Sequence, residues 1–319
     1  MAFFNFKMLF SLSYCVPSFA LYTLLIIMLI RSWKDFNSGF FRIVIADYCF
    51  NLFTFVNSMV TLRLPNGTCK ECLLDNLFSQ LGPNNPYTVS FLWINYFFHF
   101  GNAYFQYSMV TLMSLNRATS IFFYFINEKI WAFALPISLG IVIFITVFFT
   151  RDVLGSVPYF AYYESLDMYS ITSNTNILSA YYNVIYFMAF AVSASVLLNV
   201  ISVIRLKTIQ NKISTVERNL LVATIFSSII QCFAAMNTFI LQIDLKKTTI
   251  WGQAAQVLLP FSSDFLTIAQ PYILIFLSSK VREKFLQMYW KTGTKVNQMG
   301  FTKTNGAANS TSNSQVTRF

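Results

Sequence analysis

Seven stretches of mainly apolar residues recur along the chain, separated by short segments where charged, polar and turn-forming residues return. They are Leu9–Ile30, Phe41–Leu62, Phe91–Leu115, Trp131–Phe149, Ile177–Ile204, Leu220–Leu241 and Gln253–Leu277. Each approaches or exceeds the roughly 20 residues that a helix needs to cross a bilayer. The third, fifth and seventh are long, which implies tilt or an extra turn beyond the membrane. Apart from Arg42 at the margin of the second, Asp47 in the second and Asp264 in the seventh are the only formal charges inside these stretches. The pattern predicts an all-α integral membrane fold, a bundle of seven transmembrane helices. The first stretch reads as a retained helix rather than a signal peptide. Only Lys7 precedes it, its apolar run is long, and no small-residue cleavage site follows before Arg31.

The pattern changes after Leu277. Val281, Phe285, Met288 and Tyr289 fall at helical spacing among Lys280, Arg282 and Lys284. This predicts an amphipathic helix over 278–290, lying on an anionic membrane surface. Residues 291–319 are rich in Asn, Thr, Ser and Gly and are expected to be disordered. The chain therefore divides into a helical domain, 1–290, and a tail.

Composition agrees with a lipid-embedded chain. Of 319 residues, 56% are hydrophobic and 11% charged, against about 25% charged in a soluble domain. A single His, His99, excludes the clustered histidines of membrane metal enzymes. Five scattered Cys exclude a disulfide scaffold. No metal or cofactor is expected. The net charge of +10 is read as topology rather than as nucleic-acid affinity. Of the 22 Lys and Arg, six fall on the side of the N-terminus and sixteen on the other. The positive-inside rule then puts the N-terminus outside and the C-terminus in the cytoplasm. No G-x-x-x-G occurs and Gly is scarce in the spans, which disfavours a transporter built on Gly-interrupted helices.

Polar groups inside a bilayer are costly, so each calls for an account. Asp47, with Asn51 one turn on, is either an acid near the membrane surface or part of a buried site between helices. Asp264, together with Gln270 and Pro271, lies deep in the seventh span and predicts a polar core. Asn116 and Arg117 end the third span. Arg117 is either one more topogenic charge or an arginine that changes partners between two helix packings. Glu217 at the base of the sixth span, followed by Arg218, is a candidate partner for it. Ser214-Thr215-Val216-Glu217 is also a capping box, which gives Glu217 a purely local role. Tyr96, His99 and Tyr104 form a candidate pocket within the third span, with plain packing as the alternative. Cys69 and Cys72 lie in the segment between spans two and three, where a local disulfide or other pairing is open. A lone pair of Cys cannot make a zinc site. Asn66-Gly67-Thr68 is a glycosylation sequon close to the membrane. The aromatics Tyr159 to Tyr163 read as an interfacial belt, or alternatively as a lid over a pocket.

Several short segments, in order, resemble one family. Val16-Pro17-Ser18 opens the first span, Ser114-Leu115-Asn116-Arg117-Ala118-Thr119-Ser120 ends the third, and Glu217-Arg218-Asn219-Leu220-Leu221 opens the sixth. Leu259-Pro260-Phe261-Ser262-Ser263-Asp264 and Gln270-Pro271-Tyr272-Ile273-Leu274 follow, then Ser278-Ser279-Lys280-Val281-Arg282. Together they resemble the nematode serpentine chemoreceptors of class gamma, over roughly Leu9 to Trp290. The resemblance implies a seven-helix receptor in the plasma membrane of sensory neurons. It would bind a small chemical cue and signal to a heterotrimeric G protein, without being an enzyme. Arg117 is similar to the arginine of the D-R-Y motif, with Asn116 in place of the acid. Gln270-Pro271 is similar to N-P-x-x-Y, with Leu274 where Tyr would stand. Asp47 loosely resembles a sodium-site acid. A ligand-gated channel or a transporter is the alternative, and an intramembrane enzyme using Asp47 and Asp264 as a dyad is a third.

Overall fold

The computed structural model describes residues 6–83, 89–175, 178–208, 215–244 and 249–290. Seven long helices form one bundle. They are α1 (Phe6–Arg31), α3 (Gly39–Ser58), α6 (Val89–Phe122), α7 (Asn127–Leu154), α8 (Leu178–Thr208), α9 (Thr215–Ile243) and α10 (Ile250–Leu277). Short pieces complete the chain: α2 (Trp33–Phe36), α4 (Leu64–Asn66), α5 (Asp75–Gln80) and α11 (Ser279–Tyr289). The expected tail, 291–319, lies outside the described residues.

Six of the seven helices are apolar and long enough to cross a membrane: α1, α3 with its extension, α7, α8, α9 and α10. Helix α6 is not among them, although it has 34 residues. It carries Asn95, His99, Asn102, Gln106, Asn116 and Arg117. The reason is its position: it packs against α3, α7, α8 and α9 and so is the central helix of the bundle. Lipid sees its neighbours instead. Phe133, Phe144, Tyr186, Phe190 and Phe276 all point outward and are largely exposed, while Asn, Gln, Ser and Thr are buried within.

Two of the connecting segments depart from the sequence reading. Helix α3 does not stop at Leu62. It runs on through a π-helical turn, Met59–Arg63, into α4. Such a turn rotates the following residues relative to a regular helix, and Thr61, Leu62 and Arg63 are all buried. Arg63, one residue past the second apolar stretch, is therefore inside the bundle. The segment between α7 and α8 is also more ordered than a belt of aromatics. It forms an antiparallel hairpin, β1 (Pro158–Tyr163) with β2 (Met168–Ser173), in register Phe160 to Ile171 and Tyr162 to Tyr169.

Three apolar clusters hold the parts together. One surrounds Tyr22, Met28, Phe36, Phe40 and Trp131 at the end where α6 finishes. A second gathers Tyr96, Phe100, Tyr104, Tyr107 and Val153 around the first half of α6. A third, Phe78, Leu92, Phe160 and Tyr169, fixes the hairpin to α5 and α6. The first cluster also takes in Val281 and Phe285 of α11. That helix is capped by Ser278, whose Oγ accepts from the Val281 N–H at 3.4 Å. Its apolar face is thus turned against the bundle, where the sequence suggested a membrane surface. Tyr289 donates to the Leu24 carbonyl at 2.9 Å, and Lys284 Nζ lies 2.9 Å from Asp35 of α2. The Lys284 contact holds the Asp35 carboxyl below its ordinary pKa.

Candidate functional site

At the hairpin end the helices diverge around a cavity of about 410 Å³, within the roughly 300–1,000 Å³ usual for small-molecule sites. Helix α3 contributes Thr54, Asn57 and Ser58, and α6 contributes Tyr96, His99, Phe100, Asn102 and Gln106. Tyr181 and Met188 come from α8, Thr238 and Gln242 from α9, and Gln256 and Ser262 from α10. The hairpin supplies Tyr163 and the β2 run Ser170 to Ser173, so it roofs the cavity. None of the described lining residues is Asp, Glu, Lys or Arg.

Several polar atoms of this lining are buried without a hydrogen-bond partner: Thr54 Oγ1, Asn57 Nδ2, Asn102 Oδ1, Gln106 Nε2 and Gln242 Oε1. An unmet buried donor or acceptor costs about 1–3 kcal/mol. Groups left open on the wall of one cavity mark where a ligand would be held. His99 is already engaged, with Nδ1 at 3.3 Å from Thr61 Oγ1.

The hairpin itself is fastened at its outer edge. Tyr169 donates to the Asp75 carboxylate and shares a 2.7 Å hydrogen bond with Ser79. The Tyr169 contact pulls the Asp75 pKa below its ordinary value of 3.8, and burial pushes Tyr169 upward. Tyr162 donates to Asp167 at 2.6 Å, and that bond raises its pKa to about 12. Cys69 and Cys72 form a disulfide beside this edge, where Lys70 N–H donates to Asp167 at 3.1 Å.

Beside the cavity, α3 and α10 are joined by a buried ion pair. Arg63 donates to Asp264 and to Ser58. Tyr14 of α1 also donates to Asp264, so three helices meet on one carboxylate. The guanidinium lies 4.7 Å from the Phe55 ring centroid. Further along, Asp47 accepts from Tyr22 at 2.9 Å and from Asn51 at 2.8 Å. Ser227 of α9 donates to Gln270 at 3.1 Å, and Pro271 is buried next to it. Asn199 of α8 donates to Ser228 at 2.8 Å and accepts from Thr224 at 3.1 Å.

At the far end of α6, Arg117 is 3% exposed and Asn116 is fully buried. Arg117 donates to Asn116 Oδ1 at 2.6 Å, and its guanidinium lies 4.4 Å from the Phe40 ring centroid. Asn116 also abuts Gly39, where an added Cβ would come 2.9 Å from Asn116 Nδ2 and 2.8 Å from Trp131 Cβ. The start of α3 is thus pressed against α6 and α7 at the point where Arg117 is held.

Residues 8–285 match the Srg family chemoreceptor profile. The chain belongs to the Srg family. It is also 27% identical over 288 residues to serpentine receptor class gamma-31 of Caenorhabditis elegans, covering 87% of this chain and 90% of that one. An Srg chain is a serpentine chemoreceptor, a multi-pass membrane protein.

This Srg bundle distributes the residues singled out by the sequence among distinct places. Tyr96 and His99 line the cavity. Tyr104 does not; it packs between Phe149 and Phe187. Asp47 and Asn51 bond each other, and Asp264 bonds Arg63, so the two acids occupy separate networks and form no dyad. Arg218 is exposed at the start of α9. The side chain of Glu217 and the whole of Ser214 lie outside the described residues, and with them the capping box. Asn66 of the sequon is buried and lines a small second cavity with Arg63. The sequence reading missed Arg63, the cavity carboxamides Asn57, Asn102 and Gln106, and Asn199. A count of Asn and Gln at helical spacing, Asn95, His99, Asn102 and Gln106 along one side of α6, was the available signal.

Proposed function

We propose that this chain takes up a small chemical cue in the hairpin-end cavity and relays its presence to a heterotrimeric G protein at the Arg117 end. One observation carries the reading: a single central helix serves both places. Helix α6 presents Asn102 and Gln106 to the cavity and Asn116 and Arg117 to the opposite end. Those positions are about 15–23 Å apart along a helix rising 1.5 Å per residue. A cue that packs against α6 more tightly in one arrangement of the bundle shifts the population toward it. Around Arg117 the exposed aromatics Phe123, Tyr124 and Phe125 offer a contact face.

The hairpin end faces outward and the C-terminus lies in the cytoplasm of a plasma membrane, in the proposal's topology, consistent with a sensory neuron. The charge bias supports this. Removing the buried Arg63 and Arg117 from the two sides leaves the excess of Lys and Arg at the Arg117 end. The disulfide at the hairpin end fits an oxidising exterior.

Expression in cells carrying a second-messenger reporter, with a library of small molecules, tests the reading. Epitope tags at both termini, stained with and without permeabilisation, report topology. A tail stained on intact cells overturns it. A cue-evoked current that persists when G proteins are blocked replaces it with the channel alternative.

A further inference from the structure

We infer that the molecule held in the cavity is uncharged and carries both hydrogen-bond donors and acceptors, as amides and polyols do. This rests on the sensing reading above and names the ligand class for that site. Two features of the wall support it together.

The first is the absence of any Asp, Glu, Lys or Arg among the cavity's described lining residues. An ionised ligand brought into a bilayer-embedded cavity loses its hydration, and only an opposite charge or a dense set of dipoles offsets that loss. The buried charges Arg63 and Asp264 are paired with each other. The second is the set of open polar atoms. Thr54, Asn57, Asn102 and Gln106 are each more than nine-tenths buried, and each has a polar atom without a partner. They come from two adjacent helices, α3 and α6, and mix hydroxyl and carboxamide groups. A carboxamide offers a donor and an acceptor on one carbon. Two or three of them around one cavity match a ligand that gives and accepts hydrogen bonds, and leave a carboxylate or an ammonium half unmatched. The rings of Tyr96, Phe100 and Tyr181 supply the apolar part of the wall.

The test uses the full-length receptor in lipid nanodiscs and thermal unfolding, which needs no G protein. Two matched trios serve as probes: hexanamide, hexanoate and hexylamine, then phenylacetamide, phenylacetate and phenethylamine. The amide of each trio is expected to raise Tm, and the carboxylate and amine to require at least about tenfold more compound for the same shift. Asn57→Leu and Gln106→Leu should each weaken the amide effect by about tenfold. A second measurement stands without any binder. Because the groups are open, Thr54→Val and Asn57→Leu should leave the Tm of the unliganded receptor unchanged or raised. An ionic probe that matches its amide overturns the inference. So does a fall in unliganded Tm on the apolar exchanges, which would mean that these groups are structural. Amide binding with no second-messenger signal leaves the ligand class standing and overturns the signalling reading instead.

Discussion

Arg63 and Asp264 are worth more as an obligate couple than as two residues. Each is nearly inaccessible, and each would be an uncompensated charge in a low-dielectric interior without the other. Breaking a buried pair by removing one partner costs about 3–5 kcal/mol, whereas replacing both by apolar groups is often neutral. Arg63→Leu and Asp264→Leu are therefore each expected to lower surface delivery and Tm sharply. The double variant should recover most of the loss, as measured by Tm of the purified receptor. Arg117 calls for a different expectation. It lies over Phe40 and against Asn116, where an arginine's flat, permanently charged guanidinium is used and a lysine's ammonium would not stack in the same way. Arg117→Ala should abolish most second-messenger output per surface receptor while leaving the amide-induced Tm shift in place, and Arg117→Lys should restore output only in part. Normal output from the alanine variant would reduce Arg117 to a topology signal. Asp264 was legible from the sequence because an acid deep in an apolar run stands out. Arg63 was not, because the run ends at Leu62 and nothing in hydropathy reveals that a π-helical turn carries the next residue inward.

At the level of elements, the seven helices could be read from their apolar runs, and the hairpin could not. Pro158 to Tyr163 is aromatic at four of its six positions and carries no charge, so it lacks the apolar–polar alternation that marks a half-buried strand. What makes it a strand is tertiary: Phe160 enters the cluster with Phe78 and Leu92, while Tyr163 turns to the cavity. Phe160→Ala is expected to cost about 3–5 kcal/mol of local stability, seen as faster amide exchange over β1 and β2 and weaker probe binding. The Asp75 contact gives the roof a pH response. Its carboxyl is depressed in the folded state, so its contribution is present above the ordinary value of 3.8 and is lost as pH falls through the lower folded value. Hairpin amide exchange should therefore speed up on acidification below about pH 4. Asp75→Asn should remove that step while keeping a hydrogen bond to Tyr169. The amphipathic pattern of α11 was legible too, but not which surface it would cover. Its apolar residues pack on Phe36 and Leu274 rather than facing away from the protein.

For the whole molecule, the division of labour between the centre and the periphery has a consequence for how the chain is made. Helix α7 is the most apolar of the six lipid-compatible helices and the least buried. It can leave the translocation channel for lipid unaided. Helix α6, which carries the cavity carboxamides and Arg117, falls short of that standard by composition. Each Asn, Gln, His or Arg raises the cost of partitioning. The residues that make the interior useful are the ones that make its central helix a poor membrane segment during synthesis. Helix α6 should therefore insert inefficiently when placed alone between reporter glycosylation sites, and α7 efficiently. Insertion of α6 should rise when α3 precedes it or α7 and α8 follow, because those neighbours later cover its polar side. Efficient insertion of α6 alone would show that its Asn and Gln carry no such penalty. In this bundle, the order of emergence from the ribosome becomes part of the route to a working cavity: the helix that recognises must wait for the helices that shelter it.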